Sequence, residues 1–217
     1  MGLRELKKQQ TRTAIADIAT GLFAEHGFDR VTVAEVARAA GVAVNTVFNY
    51  FPAKEDLFFD RQDEVTGHLA RVVRTRPAGT SAARAIGADL VAALERGEPT
   101  LGLGAEARVF WSVVAGSAAL RARALEIGEA AEAALAAELA AEAAAGPDGA
   151  YPRALAGALA GAHRALLAEI RRRVVAGDPP EDVRRAVAAA ARAAFDRLDA
   201  AFGDTGSGDG ASTGAGS

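Results

Sequence analysis

Apolar residues recur every three to four positions along most of this chain, in blocks separated by glycine and proline, and that period predicts helices. Ile15, Ile18, Ala19, Leu22 and Phe23 form a first stripe, predicting a helix over residues 10–26 that Gly27 ends and Phe28 closes by packing. Val33, Val36, Ala37 and Ala40 form a second stripe. Thr32 suits its N-cap, Glu35 completes the capping-box spacing, and Gly41 stands where the helix must stop. A third short helix buries Val44, Val47 and Phe51 and turns Asn45, Thr46 and Asn49 outward, until Pro52 ends it. Leu57, Phe58, Val65, Leu69, Val72 and Val73 then predict one long helix over 53–74. Five more helices are expected over 81–96, 105–118, 120–145, 150–175 and 180–202, with breaks at 97–99, 102–104, 146–149 and 177–180. Residues 203–217 carry no apolar period, which predicts a disordered tail.

The fold class is therefore all-α. A three-helix unit occupies residues 1–56, a larger helical domain 57–202, and the tail 203–217. Two short helices across a tight glycine turn make a helix-turn-helix, whose second helix can enter the DNA major groove. Readout needs donors, acceptors and methyl contacts on that helix. Asn45, Thr46 and Asn49 supply them: asparagine pairs bidentately with adenine, and a threonine methyl meets a thymine methyl. Phosphate contacts can come from the hydroxyls of Thr32 and Tyr50 and the ammonium of Lys54. Arg4, Lys7, Lys8 and Arg12, against Glu5 alone, suggest a basic arm beside the duplex.

The motifs Thr32-Val33, Val36-Ala37, Ala40-Gly41-Val42, Thr46-Val47-Phe48-Asn49-Tyr50-Phe51 and Lys54-Glu55-Asp56-Leu57 follow one another without a gap. In this order they resemble the DNA-binding domain of the tetracycline-repressor (TetR) family of one-component transcriptional regulators. The resemblance covers the first quarter of the chain. It implies DNA contacts along Thr32, Ala43, Val44, Asn45, Thr46, Phe48, Asn49, Tyr50 and Lys54. Two positions depart from the family's habit. Ala43 stands where serine often caps the recognition helix, and Phe48 where tyrosine often offers a hydroxyl, so Phe48 either packs inward or touches a base methyl.

Composition narrows the alternatives. Half of the residues are apolar and alanine dominates, which favours helix over sheet. No cysteine is present, which excludes disulfides, thiolate metal sites and cysteine nucleophiles and fits a reducing cytoplasm. No signal peptide is expected, and no run of about 18 uninterrupted apolar residues suggests a membrane span. The formal net charge of -3 argues against bulk electrostatic binding to nucleic acid but allows a local basic footprint. A glycine-rich phosphate loop, a Gly-x-Ser-x-Gly elbow and a histidine pair at metal spacing are all missing, so no catalytic residue, metal or cofactor is expected. Glu129, Glu132, Glu138 and Glu142 read as a solvated helix face.

For the second domain the resemblance implies a variable helical pocket for a small effector and a homodimer on a palindromic operator. Large residues among alanines suggest that pocket at Leu103, Phe110, Trp111 and Val114, near the helix over 53–74 that would relay the signal, with plain core packing of Phe110 and Trp111 as the alternative. The run from Ser117 to Arg123 also resembles relatives with acyl-coenzyme-A-like ligands, which implies an anionic, partly apolar effector met by Arg121 or Arg123. The stripes Leu155, Leu159, Leu166, Ile170, Val174 and Val183, Val187, Phe195, Leu198, Phe202 are expected to face a second copy, with folding into the chain's own core as the alternative. The expected function is a ligand-responsive repressor. A helical protein-interaction module without DNA specificity is the competing reading.

Overall fold

The computed structural model describes residues 2–142 and 149–202, so the expectations for 143–148 and for the tail at 203–217 lie outside the described residues. The described residues form α1 (Leu3–His26), α2 (Val33–Ala39), α3 (Val44–Tyr50), α4 (Lys54–Phe58), α5 (Gln62–Arg74), α6 (Ala82–Arg96), α7 (Ala105–Gly116), α8 (Ala118–Glu142), α9 (Ala150–Ala176) and α10 (Pro180–Phe202). Among these residues no helix is long and apolar enough to cross a membrane.

One apolar cluster joins Ile15, Ala19 and Phe23 of α1 to Val36 of α2, Val47 of α3, and Phe51, Leu57 and Phe58 around α4. It does not stop at residue 56. Val114 of α7 and Leu120 of α8 belong to it, and the Phe110 ring stacks on Phe58 with centroids 4.5 Å apart. A second cluster fills the space between α5, α6, α8, α9 and α10. There the backbones of α6 and α10 approach closely at Gly87, where an added Cβ would lie 2.6 Å from the Cβ of Phe195.

Three differences from the sequence reading have physical causes. First, α1 begins at Leu3, so the basic segment forms its opening turns, built from good helix formers with Glu5 at the N-terminal end. Second, the helix expected over 53–74 is broken after Phe58. Phe59 leaves the helical region (φ -100, ψ 51), its ring meets Phe58 and Phe110 edge-on, and Arg12 donates to the Asp60 carbonyl at 2.8 Å. The break therefore keeps its packing and its hydrogen bonds, while Val65 on α5 is left exposed. Third, the stripes expected to face a second copy are the chain's own core. Leu159, Leu166, Ile170, Val174, Val183, Val187 and Phe195 are buried within the second cluster, with Leu155 and Leu198 packed against it and Phe202 partly exposed. A helix buries its widest apolar face first, and here five helices of one chain suffice to cover it.

The acidic residues of α8 are also more than a solvated face. Glu138 pairs with Arg74, the last residue of α5, Glu142 pairs with Arg76 just beyond it, and Glu132 pairs with Arg164 of α9. A small polar group also joins α5 to α6. His68 Nε2 lies 2.8 Å from Asp89 Oδ2, and Arg71 donates to His68 Nδ1 at 3.2 Å, which leaves the ring proton on Nε2. His163 of α9 packs beside them. Burial first, then the neighbouring His68, hold its pKa down at about 4.

An unfolded chain protonates such a histidine near its ordinary value of about 6.5, while the folded chain refuses the proton until about pH 4. Its contribution to stability is therefore complete above pH 6.5 and is lost as the pH falls toward 4. Between pH 7 and pH 4.5 the wild type is expected to lose about 2 kcal/mol more than His163→Gln, read by denaturant titration at both pH values.

Candidate nucleic-acid interface

The helix-turn-helix is fixed from its first residue. The Thr32 hydroxyl accepts from the Glu35 N–H at 3.2 Å, and the Glu35 carboxylate accepts from the Thr32 N–H at 2.7 Å, a reciprocal capping box. The Thr32 backbone and hydroxyl donors hold the Glu35 carboxyl below its usual range. At the other end of α2, Gly41 adopts φ 67, and the Val42 N–H returns to the Ala37 carbonyl to close the turn. Ala43 is the N-cap of α3 and offers no side-chain acceptor. The buried residues Val47 and Phe51 anchor α3 from beneath, and the chain turns away at Pro52.

That anchoring sets what α3 presents. Val44, Asn45, Phe48 and Asn49 are exposed, Phe48 at 45% and Val44 at 38%. They form two adjacent rows one helical turn long: Val44 above Phe48, and Asn45 above Asn49. Ala43 and Thr32 are exposed beside them, while Thr46 is half-buried. Tyr50 is half-buried as well and packs against the first cluster. Phe48 thus faces solvent instead of packing inward.

Most nearby cations are engaged within the domain. Lys54 donates to the Phe28 carbonyl at 2.6 Å and lies 4.2 Å from the centroid of the Phe28 ring, and burial pushes its pKa down. Arg12 lies over the Phe51 ring besides holding the Asp60 carbonyl. The Thr32 hydroxyl, too, donates to Glu35, at 2.8 Å. Residues 1–56 carry seven lysines and arginines against seven acidic residues. Arg4, Lys7 and Lys8, all exposed on the first turns of α1, are the charge left for phosphates along that helix.

The five residues expected to line an effector pocket lie in different surroundings. Leu103 is buried in the second cluster and Val114 in the first. Phe110 stacks on Phe58, and Trp111 stands edge-on to Phe110 with the Arg171 guanidinium over its ring. Arg121 is exposed and donates to the Ala115 carbonyl at 2.5 Å. One open surface groove lies between the end of α1 and α2, along His26, Arg30, Glu35 and Arg38. Another lies between α1 and α7, along Phe28, Ser112 and Gly116. None of the five lines either groove.

What the sequence reading missed is the junction between the domains. Asp56, 5% exposed, accepts from the Ala53 N–H at 3.0 Å, from Gln62 Nε2 at 3.1 Å and from Arg123 Nη2 at 2.8 Å. Arg123, expected to meet an effector's charge, is thereby tied to α4, and its other nitrogen pairs with Glu126. Ser117 donates to Asp29 at 2.7 Å at the second point of contact. Asp56 and Arg123 stand 67 residues apart, and no local pattern signals such a pair.

Thr32→Ala removes the hydroxyl half of the capping box and is expected to lower the stability of the first domain by about 1 kcal/mol, read by chemical denaturation. Thr32→Ser, which keeps the acceptor, is expected to restore most of that loss.

Comparison with known proteins follows the same division. Residues 15–60 match the family described as bacterial regulatory proteins, tetR family. LuxR, an HTH-type transcriptional regulator of Vibrio harveyi, is 44% identical over 69 residues, which are 32% of this chain and 30% of that protein. TcmR, an HTH-type transcriptional regulator of Streptomyces glaucescens, is 30% identical over 95 residues, 44% of this chain and 42% of that protein. The matched stretch thus spans less than half the length of these relatives. Among solved structures, native NalD, the secondary repressor of the MexAB-OprM multidrug efflux pump in Pseudomonas aeruginosa, superposes with a TM-score of 0.56 at 21% identity, over 88% of this chain and 97% of that one. The SmeT–triclosan complex superposes with a TM-score of 0.55 at 20% identity, over 88% and 91%. At such identity these two show the fold alone. The N-terminal match and its geometry agree: residues 15–60 form a helix-turn-helix domain of the kind described as bacterial regulatory proteins, tetR family.

Proposed function

We propose that the chain is a DNA-binding transcriptional regulator, a repressor that occupies a palindromic operator as a homodimer and releases it on binding a small effector. The observation that carries this reading is the α3 surface, where amide and apolar side chains stand exposed on a helix anchored by Val47 and Phe51. Such a helix suits the major groove, with Asn45, Thr46 and Asn49 toward base edges and Ala43, Thr32 and Tyr50 toward the backbone. Lys54 would serve a phosphate only by leaving the Phe28 carbonyl, so Arg4, Lys7 and Lys8 are better candidates for that contact.

The junction supplies a route for regulation. Asp56–Arg123, Asp29–Ser117 and the Phe58–Phe110 stack all join the first domain to α7 and α8. An effector that favours another placement of these helices would shift DNA affinity by its differential binding to the two states. The SmeT–triclosan complex lends support to a small, largely apolar effector in this fold. For the anionic, acyl-coenzyme-A-like effector, Arg121 is the exposed cation on the expected stretch. Because Leu103, Phe110, Trp111 and Val114 are packed, a pocket there must open by moving α7.

The dimer is assigned to the outer face of α9 and α10, where Ala154, Ala165, Ala189, Ala193 and Ala200 are exposed and allow close helix approach. Sedimentation at micromolar concentration is expected to give a dimer, and a monomer alone would refute the assembly. Two such copies would place their α3 helices in half-sites about 34–36 Å apart.

Selection from random duplex DNA at moderate salt, followed by sequencing, is expected to enrich an inverted repeat. No enrichment would leave the helical protein-interaction module as the surviving reading.

A further inference from the structure

We infer that α3 reads adenine edges and thymine methyl groups, so that each half-site is A·T-rich under α3 and its recognition depends on the C5 methyl of thymine. The inference rests on the DNA-binding reading above and narrows it to a class of base pair.

The first observation is what α3 lacks. Its seven residues, Val44–Tyr50, include no acidic, basic or histidine side chain. Guanine's strongest partner in the major groove is an arginine or lysine paired to O6 and N7, and cytosine's is a carboxylate accepting from N4. Neither type of group is on this helix. The cations nearest in the fold point elsewhere: Lys54 to the Phe28 carbonyl, Arg12 to Phe51 and Asp60, and Arg38 into the groove with His26 and Arg30.

The second observation is what α3 exposes. Its inward apolar residue, Val47, is fully buried, so exposed Val44 and Phe48 are not overflow from the core. An exposed phenylalanine and valine one turn apart are costly in water and useful where a methyl group meets them. In the major groove the apolar group is the thymine methyl. Beside that row run Asn45 and Asn49, whose amides match adenine N6 and N7 bidentately. Amide and apolar rows side by side fit adenine and thymine presented on neighbouring steps.

The test uses the full chain and the duplex enriched by selection. Thymines under each half-site are replaced singly by deoxyuridine, which removes the methyl and nothing else, and Kd is measured by fluorescence anisotropy at one salt concentration. At one or two positions per half-site the change is expected to weaken binding about fourfold, the factor that one buried methyl group represents. Phe48→Ala, a truncation at an exposed position, is expected to bind more weakly and to lose the distinction between thymine and deoxyuridine at the position it touches. An enriched inverted repeat that is indifferent to deoxyuridine throughout, or that places G·C pairs under α3, would overturn this inference and leave the DNA-binding reading standing. Absence of any enriched sequence would overturn both.

Discussion

Among the contacts that join the two halves of this molecule, a buried carboxylate fixes the most pieces of chain at once. Asp56 is enclosed where α4, the turn into α5 and the start of α8 converge, and it survives burial because three donors surround it. Each donor fixes a different piece of chain. The Ala53 N–H sets where α4 begins after Pro52, Gln62 sets how α5 departs from α4, and Arg123 sets how α8 lies against both. Since Lys54 of α4 also grips Phe28 behind α1, the orientation of α3 follows from this cluster by way of Phe51 and Leu57. An apolar pair in the same place would pack equally well and orient less, because dispersion has no direction and a charge-assisted hydrogen bond does.

The helix-turn-helix was legible in the sequence because each of its parts is a local matter. Thr32 and Glu35 find each other three residues apart, Gly41 is needed for one backbone conformation, and spacing puts Val47 and Phe51 on the inner face, although it put Val44 there too and the structure exposes it at the first turn of α3. The helices of the second domain were legible for the same reason, to within a turn at most ends. Periodicity told which face of α9 and α10 is apolar. It could not tell whether that face meets the same chain or another, because the period is identical in both cases. The break after Phe58 escaped notice since residues 59–61 contain no glycine or proline; a distant guanidinium and ring packing from α7 stabilise it.

The side chains that sequence alone marks as functional divide by charge once their surroundings are known. Lysine and arginine are long enough to find partners well away from their own backbone, and Lys54 and Arg12 of the first domain and Arg123 of α8 all found internal ones. The short residues of α3 cannot reach back into the protein, so Asn45 and Asn49 remain available for whatever lies outside. Reach, more than residue type, therefore separates a structural side chain from a recognising one here.

Gly87 gives the second domain a mechanical property as well as a packing contact. The backbones of α6 and α10 already touch as closely as a glycine permits, so there is no slack between them to absorb a push. A displacement of α10 toward α6 would have to move α6 with it, and α6 shares its core with α5. Those helices behave as a stiff strut. Any change in how α10 sits must therefore be shared by α6.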